Sequence, residues 1–258
     1  MKYCKKEEII KIVNESLDRA EEMWENTLEK LKIIANAQDT ETNIPGHKYL
    51  GKDKYKSDQF LAIMIDMRNS TKHLIEAIGA PAKVSQMERV FYEVSALLPA
   101  SATIIENADG GVTEYLGDGL LALFQFPGDK DGKDNTKKRD EICRKVFNVA
   151  MDLLEILKTI INPILKDRYN LPEIEIGIGM SYSPVIITHF GIQTYSQVKV
   201  IGRCIYDVSK LSKLNNEIAI SRTLEMAWPT SKGGLLSFTK QGFDNNKITG
   251  YIVRRKEK

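Results

Sequence analysis

The fold is decided by the stretch Asp109-Gly-Gly-Val-Thr-Glu-Tyr-Leu-Gly-Asp-Gly-Leu-Leu-Ala-Leu-Phe124. Two strand-like runs meet within it at Gly117-Asp118-Gly119, and this pattern predicts a β-hairpin with a tight turn. Glycine on either side of Asp118 lets the backbone adopt positive φ, which leaves the carboxylate at the tip of the turn. A carboxylate without bulky neighbours is suited to binding a metal ion.

A second acidic residue occupies a similar position upstream. The apolar run Phe60-Leu-Ala-Ile-Met-Ile65 ends at Asp66, and Met67-Arg-Asn-Ser-Thr71 follows before a helical pattern begins. Two carboxylates at strand ends favour a divalent cation, because Mg²⁺ and Mn²⁺ prefer oxygen ligands. Neither block contains a histidine or a cysteine, which argues against zinc.

The composition is that of a globular domain without a charge bias. Of 258 residues, 42% are apolar and 28% are charged, so the chain can bury a full core. The formal net charge of +2 gives no general attraction to nucleic acid or to an anionic membrane. No apolar run approaches the ~20 residues of a membrane span. Three cysteines without metal-site spacing suit a reducing compartment, so we expect a cytoplasmic protein.

The first part of the chain differs in pattern from the rest. Residues 7–37 favour helix, with apolar residues at steps of three and four. This helix either pairs with its copy in a second subunit or packs on its own domain, and the sequence leaves both open. Residues 39–58 are polar and contain Pro45, Gly46 and Gly51, which predicts a linker. We therefore divide the chain into an N-terminal helix and linker, residues 1–58, and a folded domain, residues 59–258.

Helical and strand patterns alternate through the folded domain. Helices are expected at 71–79, 81–100, 139–165 and 204–214, and further strands at 174–180, 185–190 and 197–201. The second helix has Met87 and Phe91 among its core positions, and the last has Tyr206 and Lys210 together on one face. Strands separated by helices, with hairpins between them, predict an α/β (α+β) domain with one mixed sheet and helices on one face.

Four blocks, in this order, resemble those of class III nucleotide cyclase catalytic domains, the adenylate and guanylate cyclase family. They are Phe60-Leu-Ala-Ile-Met-Ile-Asp66-Met-Arg-Asn-Ser-Thr71, Thr113-Glu-Tyr-Leu-Gly117-Asp118, Ile176-Gly-Ile-Gly179 and Lys199-Val-Ile-Gly202, and the match spans about residues 59–253. The resemblance implies a ferredoxin-like core, a head-to-tail homodimer and a nucleoside triphosphate site at the subunit interface. It also implies attack of the ribose 3′-hydroxyl on the α-phosphate, with release of pyrophosphate.

The resemblance further implies two metal ions per site, Mn²⁺ or Mg²⁺, bridged by Asp66 and Asp118 with the backbone of Met67 as a further ligand. Two ions in such a position stabilise the charge that accumulates on the attacking and leaving oxygens. The turn Asn69-Ser70-Thr71 enters a helix, so its backbone N–H groups are available to the polyphosphate of the substrate. A simple N-cap at the first or second of these residues explains the same pattern.

By the same resemblance, Glu114 and Lys199 occupy the positions that read the base. Adenylate cyclases have a Lys and Asp pair there and guanylate cyclases a Glu and Cys pair, so this chain matches neither type. Uracil would meet the pair through O4 and N3–H. Cytosine would give its N4 amine to Glu114 and accept from Lys199, so a pyrimidine fits in either case. A cross-strand salt bridge on an exposed sheet face is the structural alternative.

Further positions depart from the purine cyclases. Tyr206 and Lys210 stand where those enzymes have Asn and Arg: the tyrosine reduces the room for a two-ring base, and the lysine still neutralises triphosphate as a point charge. Glu175 replaces a family Arg, so the charge of the transition state must be balanced elsewhere, and Arg203 and Lys240 are the candidates. For Tyr206, an amphipathic core position with its hydroxyl at the surface is the alternative.

These departures are similar to those in the stand-alone pyrimidine cyclases of bacterial antiphage (Pycsar) systems, which make cyclic UMP or cyclic CMP for a separate effector. The sequence therefore predicts a UTP or CTP cyclase that uses Asp66, Asp118 and Lys210 in catalysis and acts as a homodimer. Two alternatives stay open: a guanylate or adenylate cyclase with an atypical base pocket, and a catalytically silent nucleotide-binding dimer.

Overall fold

The computed structural model of the chain describes residues 39–51, 54–75, 84–128, 135–192, 195–230 and 234–256. The helix predicted over residues 7–37 lies outside them. The strands are β1 (Asp39–Glu41), β2 (Tyr49–Gly51), β3 (Tyr55–Met67), β4 (Gly111–Tyr115), β5 (Gly119–Gln125), β6 (Ile176–Ile192), β7 (Tyr195–Gly202), β8 (Glu217–Ser221), β9 (Leu236–Phe243) and β10 (Ile248–Arg255). The helices are α1 (Ser70–Ile75), α2 (Gln86–Asn107), α3 (Thr136–Ile156), α4 (Asn162–Tyr169), α5 (Arg203–Leu211) and α6 (Arg222–Met226), and a π-helical turn, Leu157–Ile161, joins α3 to α4.

One mixed sheet forms the body of the domain, with the strand order β4-β5-β3-β6-β8-β10-β9. β6 and β8 run parallel, whereas the other neighbours on this path pair antiparallel. β7 extends the sheet by pairing with the second half of β6, and β1 and β2 pair separately. The mixed sheet predicted from the sequence is therefore confirmed.

Alternation along β3 divides the sheet into two faces. Leu61, Ile63 and Ile65 enter the main core together with residues of α2 and α3, and we call this side the α2–α3 face. Phe60 and Ala62 enter a second core with residues of α5, and we call this side the α5 face. Because side chains alternate along a strand, Asp66 extends from the α5 face. We expected helices on one face of the sheet only, and this was wrong, because α5 covers the second face.

A continuous helical rod packs along the α2–α3 face. It consists of α3, the π-helical turn and α4, so it covers the helix predicted over residues 139–165. Its apolar stripe, from Val146 through Ala150 and Leu153 to Leu157, is buried. Within the described segments, no helix combines the length and the apolar character needed to cross a bilayer.

The buried side of α2 differs from the one we expected. Met87 and Phe91, predicted as core positions, are 75% and 65% exposed. The buried stripe instead runs through Arg89, Glu93 and Leu97, because a charged pair occupies the inner side of the first turns. Because charged residues of a helix are expected to face solvent, the predicted buried stripe was rotated by about half a turn from the observed one.

β6 is a single strand of 17 residues, where we expected two short strands separated by residues 181–184. One edge of β6 pairs with β3 over residues 176–188. The other edge pairs with β8 over residues 177–180 and with β7 over residues 185–192. Pro184 lies in the gap between these two partners, so its missing N–H interrupts no ladder on that edge.

Residues 39–51 pack on the domain, although we expected a linker there. Ile44 and Leu50 are buried in the second core beside Phe60. Strand β3 begins at Tyr55, before the boundary that we placed at Gln59. The described part of the segment before Gln59 thus contributes to the fold, while the division of the chain into 1–58 and 59–258 stays a prediction.

Candidate active site

The turn between β4 and β5 depends on two glycines for different reasons. Gly117 has a φ of 84°, in the left-handed region that glycine adopts without strain. A Cβ at Gly119 would come within 2.4 Å of the Ile65 carbonyl oxygen, so glycine is what lets β5 lie this close to β3. The Leu116 N–H donates to the Gly119 carbonyl at 2.8 Å and closes the turn. The predicted hairpin is confirmed, and Asp118 lies at its tip.

Asp66 lies near the end of β3, and Asp118 lies in the turn directly before β5. Asp66 is opposite Gly119 in the register of β3 and β5. The Met67 N–H donates to the Asp118 carbonyl at 3.2 Å. Directly opposite residues of an antiparallel pair have Cα atoms about 5 Å apart. The backbone therefore brings the two acids to the same end of the sheet.

Two cationic side chains neutralise Asp66. Its Oδ2 atom lies 2.7 Å from Nη1 of Arg68 and 2.8 Å from Nζ of Lys213. The side chains of Asp66 and Arg68 are 17% and 18% exposed, whereas that of Lys213 is 54% exposed. Arg68 also donates from Nε to Asn215 at 3.4 Å. The contact of Lys213 with Asp66 could not be predicted from the sequence, because 147 residues separate the two.

The carboxylates of Asp66 and Asp118 are the groups at this end of the sheet that would hold a divalent cation. The Asp66 carboxylate already carries two positive groups on one oxygen, and Asp118 is adjacent. Mg²⁺ and Mn²⁺ need only one or two protein carboxylates where phosphate oxygens and water complete the shell. Among the described residues, no group of three or more His, Cys, Asp or Glu side chains is placed to bind a metal. An ion would thus depend on substrate oxygens and compete with Arg68 and Lys213 for Asp66. The ligand role of the Met67 backbone stays a prediction.

The segment after Asp66 turns sharply into α1. Asn69 adopts the left-handed region, with a φ of 58°, and its carbonyl accepts from the N–H groups of Lys72 at 2.8 Å and His73 at 3.2 Å. Helix α1 then begins at Ser70 and includes Thr71. The expected contact between residues 69–71 and a polyphosphate stays a prediction.

A buried charge network anchors α1 to α2. His73 Nδ1 lies 2.8 Å from Oε2 of Glu93, and Arg89 Nε donates to Oε1 of the same residue at 2.8 Å. The Glu93 side chain is fully buried. This network fixes the segment that follows Asp66, and sequence reasoning missed it because charged residues of a helix were expected to face solvent.

Glu114 and Lys199 are in direct contact. The Lys199 Nζ lies 3.1 Å from Oε2 of Glu114, and both side chains are partly buried. A bulge at Thr113 shifts the register of β4, so that Val112 is opposite Ala122 but Glu114 is opposite Leu121. Val112 faces the main core, whereas Leu121 belongs to the second core, so the bulge turns Glu114 onto the α5 face, which also carries Asp66.

A cleft of about 300 Å³, lined by polar and apolar residues alike, opens beside Glu114. It is formed by residues 40–44, residues 112–114 of β4, and residues 196–198 with Val200 of β7. Its volume lies at the lower end of the range for small-molecule sites. The base-reading interpretation and the salt-bridge interpretation of Glu114 and Lys199 are both compatible with this geometry.

Tyr206 and Lys210 contact each other on α5. The Lys210 Nζ lies 5.6 Å from the centroid of the Tyr206 ring, as expected for residues four apart on a helix. The Tyr206 hydroxyl donates to Oδ2 of Asp244 at 3.3 Å. Tyr206 is exposed and is therefore not a core tyrosine. Asp244, in the turn between β9 and β10, was not anticipated from the sequence.

The two candidates for the missing arginine lie apart from Asp66. Arg203 Nε donates to Oδ1 of Asp207 at 2.6 Å, and this hydrogen bond raises the pKa of the Arg203 guanidinium. Lys240 is opposite Tyr251, which packs against the main core. Lys240 therefore belongs to the α2–α3 face at an edge strand, and within one chain the structure does not bring it to Asp66.

The same fold occurs in solved structures of nucleotide cyclases. The guanylyl cyclase Cya2 matches with a TM-score of 0.58 and 17% identity, over 77% of this chain and 92% of that chain. The adenylyl cyclase CyaB from P. aeruginosa matches with a TM-score of 0.58 and 15% identity, over 80% and 97% of the respective chains. The guanylate cyclase domain of RhGC from Catenaria anguillulae in complex with GTP matches with a TM-score of 0.56 and 15% identity, over 78% and 100%. No protein-family model and no curated protein matches the sequence.

These likenesses confirm the fold expected from the four sequence blocks. The chain has the α/β fold of adenylyl and guanylyl cyclase domains, with a mixed sheet and helices. At 15–17% identity they establish the fold alone. The reaction and the base must be argued from the residues.

Proposed function

We propose that the protein is a metal-dependent nucleotide cyclase that converts UTP or CTP to the 3′,5′-cyclic monophosphate and pyrophosphate. The observation that carries this proposal is the position of Asp66 and Asp118, which are adjacent at the end of β3 and the turn into β5 of a cyclase fold. A pair of carboxylates with oxygen-only chemistry suits Mn²⁺ or Mg²⁺, two per site in our proposal.

In the proposed reaction the ribose 3′-hydroxyl loses its proton to solvent and its oxygen attacks the α-phosphorus. The bond from that phosphorus to the bridging oxygen of the β-phosphate breaks, and the electron pair leaves with pyrophosphate. Metal ions, when bound, would supply positive charge at the attacking and leaving oxygens. Asp66 and Asp118 would hold those ions from the end of β3 and from the turn before β5, and Arg68 orients the Asp66 carboxylate. Lys210 adds positive charge from α5, and residues 69–71 offer backbone N–H groups to the phosphates.

The ion pair between Glu114 and Lys199 is compatible with a pyrimidine base, and the room beside it is the feature that favours one over a purine. A carboxylate only accepts hydrogen bonds and an ammonium only donates them, so the pair presents one group of each kind at 3.1 Å. The pairing edges of uracil and cytosine both combine donors and acceptors that can meet such a pair. The adjoining cleft is small, and Tyr206 adds bulk on α5. Arg203, Tyr206 and Lys240 remain proposed substrate contacts.

A guanylate cyclase is the second candidate. Glu114 agrees with the guanylate type, and the RhGC domain was solved with GTP. Lys199 departs from the guanylate type: its ammonium would crowd the donor groups of guanine, although it could donate to the guanine carbonyl. A catalytically silent dimer is the third candidate, favoured by the two cations that neutralise Asp66 in the chain.

We also propose that the enzyme is cytoplasmic and that its cyclic product is a second messenger in antiphage defence, read by a separate effector. The support for this role is the resemblance of the altered base pocket to stand-alone pyrimidine cyclases. The free thiols of Cys143 and Cys204 are consistent with a reducing compartment.

The proposed homodimer has active sites at its interface, and complementation tests this. A variant with Asp118→Asn is mixed with one that carries Glu114→Ala and Lys199→Ala. If each site combines metal ligands of one chain with base contacts of the other, one site of every mixed dimer is intact, and an equal mixture recovers about a quarter of wild-type activity. Sites contained within a single chain would give no recovery.

The substrate is tested by incubating the protein with each of the four ribonucleoside triphosphates and Mn²⁺, followed by mass spectrometry of the products. We expect cyclic UMP or cyclic CMP with pyrophosphate. Product from ATP or GTP alone would remove the pyrimidine assignment, and metal-independent nucleotide binding without turnover would indicate a silent dimer.

A further inference from the structure

The turn after α5 places a lysine on the carboxylate that we propose as a metal ligand. Lys213 Nζ lies 2.8 Å from Oδ2 of Asp66. We propose that Lys213 is a mobile cation of the active site, which neutralises Asp66 in the absence of metal and transfers to the triphosphate when a metal ion binds that carboxylate. This inference rests on the proposed function, because it assigns a further residue to the same site.

The backbone around Lys213 is packed where it can reach Asp66. Gly177 is opposite Asp66 in the register of β3 and β6. A Cβ at Gly177 would come within 2.1 Å of the Ser212 carbonyl oxygen and 2.4 Å of that of Leu214. The absence of a side chain at Gly177 therefore lets the turn lie directly beside the strand position that pairs with Asp66.

Hydrogen bonds fix the end of this turn to β6. The Asn216 N–H donates to the Ile176 carbonyl at 2.7 Å, and Asn216 Oδ1 accepts from the Ile176 N–H at 3.1 Å. At the other end, the Ser212 N–H donates to the Val208 carbonyl at 3.0 Å. Lys213 thus extends from a backbone that is held on both sides, so its contact with Asp66 is a built feature of the turn.

Of the two cations on Asp66, Lys213 is the one that can leave. Its side chain is 54% exposed, and an ion pair of this kind is weak because solvent screens it. The Arg68 side chain is 18% exposed and is also bonded to Asn215. Of the two side chains that would compete with a metal ion for Asp66, Lys213 is therefore displaced at the lower cost, and Arg68 is held beside the carboxylate by its bond to Asn215.

The triphosphate and the charge that develops on it need cations near Asp66 in addition to Lys210. Arg203 is engaged by a buried carboxylate, and Lys240 belongs to the other face, so neither supplies such a cation within one chain. Lys213 is already beside Asp66. Once displaced, its ammonium remains tethered there, and the oxygens of a bound triphosphate are strong acceptors for it.

Two binding measurements test this inference on the full chain. The first is the affinity for Mn²⁺ alone, followed by electron paramagnetic resonance of the free ion. The second is the affinity for inorganic tripolyphosphate in saturating Mn²⁺, followed by calorimetry. The variants are Lys213→Met, which removes the charge, and Lys213→Arg, which keeps it. Lys158→Met removes an exposed lysine on the helical rod of the α2–α3 face and serves as the control.

We expect Lys213→Met to bind Mn²⁺ about two- to fivefold more tightly, because the competing cation is lost, and to bind tripolyphosphate at least about threefold more weakly. Lys213→Arg and Lys158→Met should match the wild type in both. Unchanged or weaker Mn²⁺ binding by Lys213→Met, or unchanged tripolyphosphate binding, would overturn the inference. If the proposed function is wrong, the wild-type protein will turn over no nucleotide. The two binding measurements do not depend on turnover, so they would still decide the role of Lys213.

Discussion

Replacing Gly119 by asparagine is expected to destabilise the domain by about 2–4 kcal/mol, because β5 has no room for a side chain there. A Cβ at this position lies 2.4 Å from the Ile65 carbonyl oxygen and 3.3 Å from the Cα of Asp66. Both contacts involve backbone, so a rotamer change cannot relieve them. β5 would have to withdraw by about 1 Å to restore an ordinary van der Waals contact.

Such a displacement has two costs. Overpacking against a strand costs about 1–3 kcal/mol. The hydrogen bond from Met67 N–H to Asp118, already 3.2 Å long, would break at a further cost of about 1 kcal/mol. For a chain of this size, the sum corresponds to a fall in Tm of at least about 4 °C. Circular dichroism during thermal unfolding measures it.

Gly117→Asn is the matched control for this substitution. Gly117 has a φ of 84° and no atom within 4 Å of a built Cβ. Asparagine tolerates positive φ better than other residues, so we expect a loss within about 1 kcal/mol. Equal falls in Tm for the two variants, or no fall for Gly119→Asn, would refute the argument that close packing of β5 on β3 requires Gly119.

Three other predictions concern the core. Glu93→Ala leaves the buried Arg89 guanidinium without its carboxylate, removes the partner of His73 Nδ1, and should cost about 3–5 kcal/mol in urea unfolding. Glu106→Ala, an exposed site on the same helix, should change stability by less than about 0.5 kcal/mol. Asn162→Ala removes two 3.0 Å hydrogen bonds to the Ile174 backbone and should cost about 2 kcal/mol in the same assay; a value near zero would contradict this. Burial raises the pKa of the Cys143 thiol to about 12, and burial also raises the pKa of the Cys204 thiol. Since only the thiolate reacts, iodoacetamide at pH 8 should spare both cysteines in the native protein and label both in guanidinium, as read by peptide mass spectrometry; labelling of either native cysteine at pH 8 would contradict this.

Local patterns explain why the hairpin and the helical rod could be predicted from the sequence. Gly117-Asp118-Gly119 between two apolar runs encodes a turn within a few residues, and the stripe from Val146 to Leu157 repeats with the period of a helix. These features depend on neighbours in the chain. The strand expected at 174–180 was recognised for the same reason, although it continues through Pro184 to Ile192.

Other features required contacts between distant parts of the chain. The bulge at Thr113, which turns Glu114 to the α5 face, depends on how β4 pairs with β5. Met87 and Phe91 were assigned to the core because a buried pair of opposite charges inside a helix cannot be recognised from periodicity.

In the candidate site, too, features set by local sequence could be predicted and features set by distant contacts could not. The strand ends carrying Asp66 and Asp118 could be located from the sequence, because an apolar run that stops at an acid is a local signal. The lysine that contacts Asp66 could not be located from the sequence, because Lys213 reaches Asp66 only through the packing of a turn on Gly177. A glycine in a strand was the one available hint that another backbone approaches closely.

In the proposed reaction, Asp66 and Asp118 together hold the ions that drive cyclisation. Formation of cyclic nucleotide by Asp118→Asn, measured beside the wild type with Mn²⁺ and each of the four triphosphates, tests it most directly. We predict that the wild type forms a cyclic pyrimidine nucleotide and that the variant, with an unchanged circular dichroism spectrum, forms less than about one hundredth as much. A folded variant that retains wild-type turnover would contradict the claim.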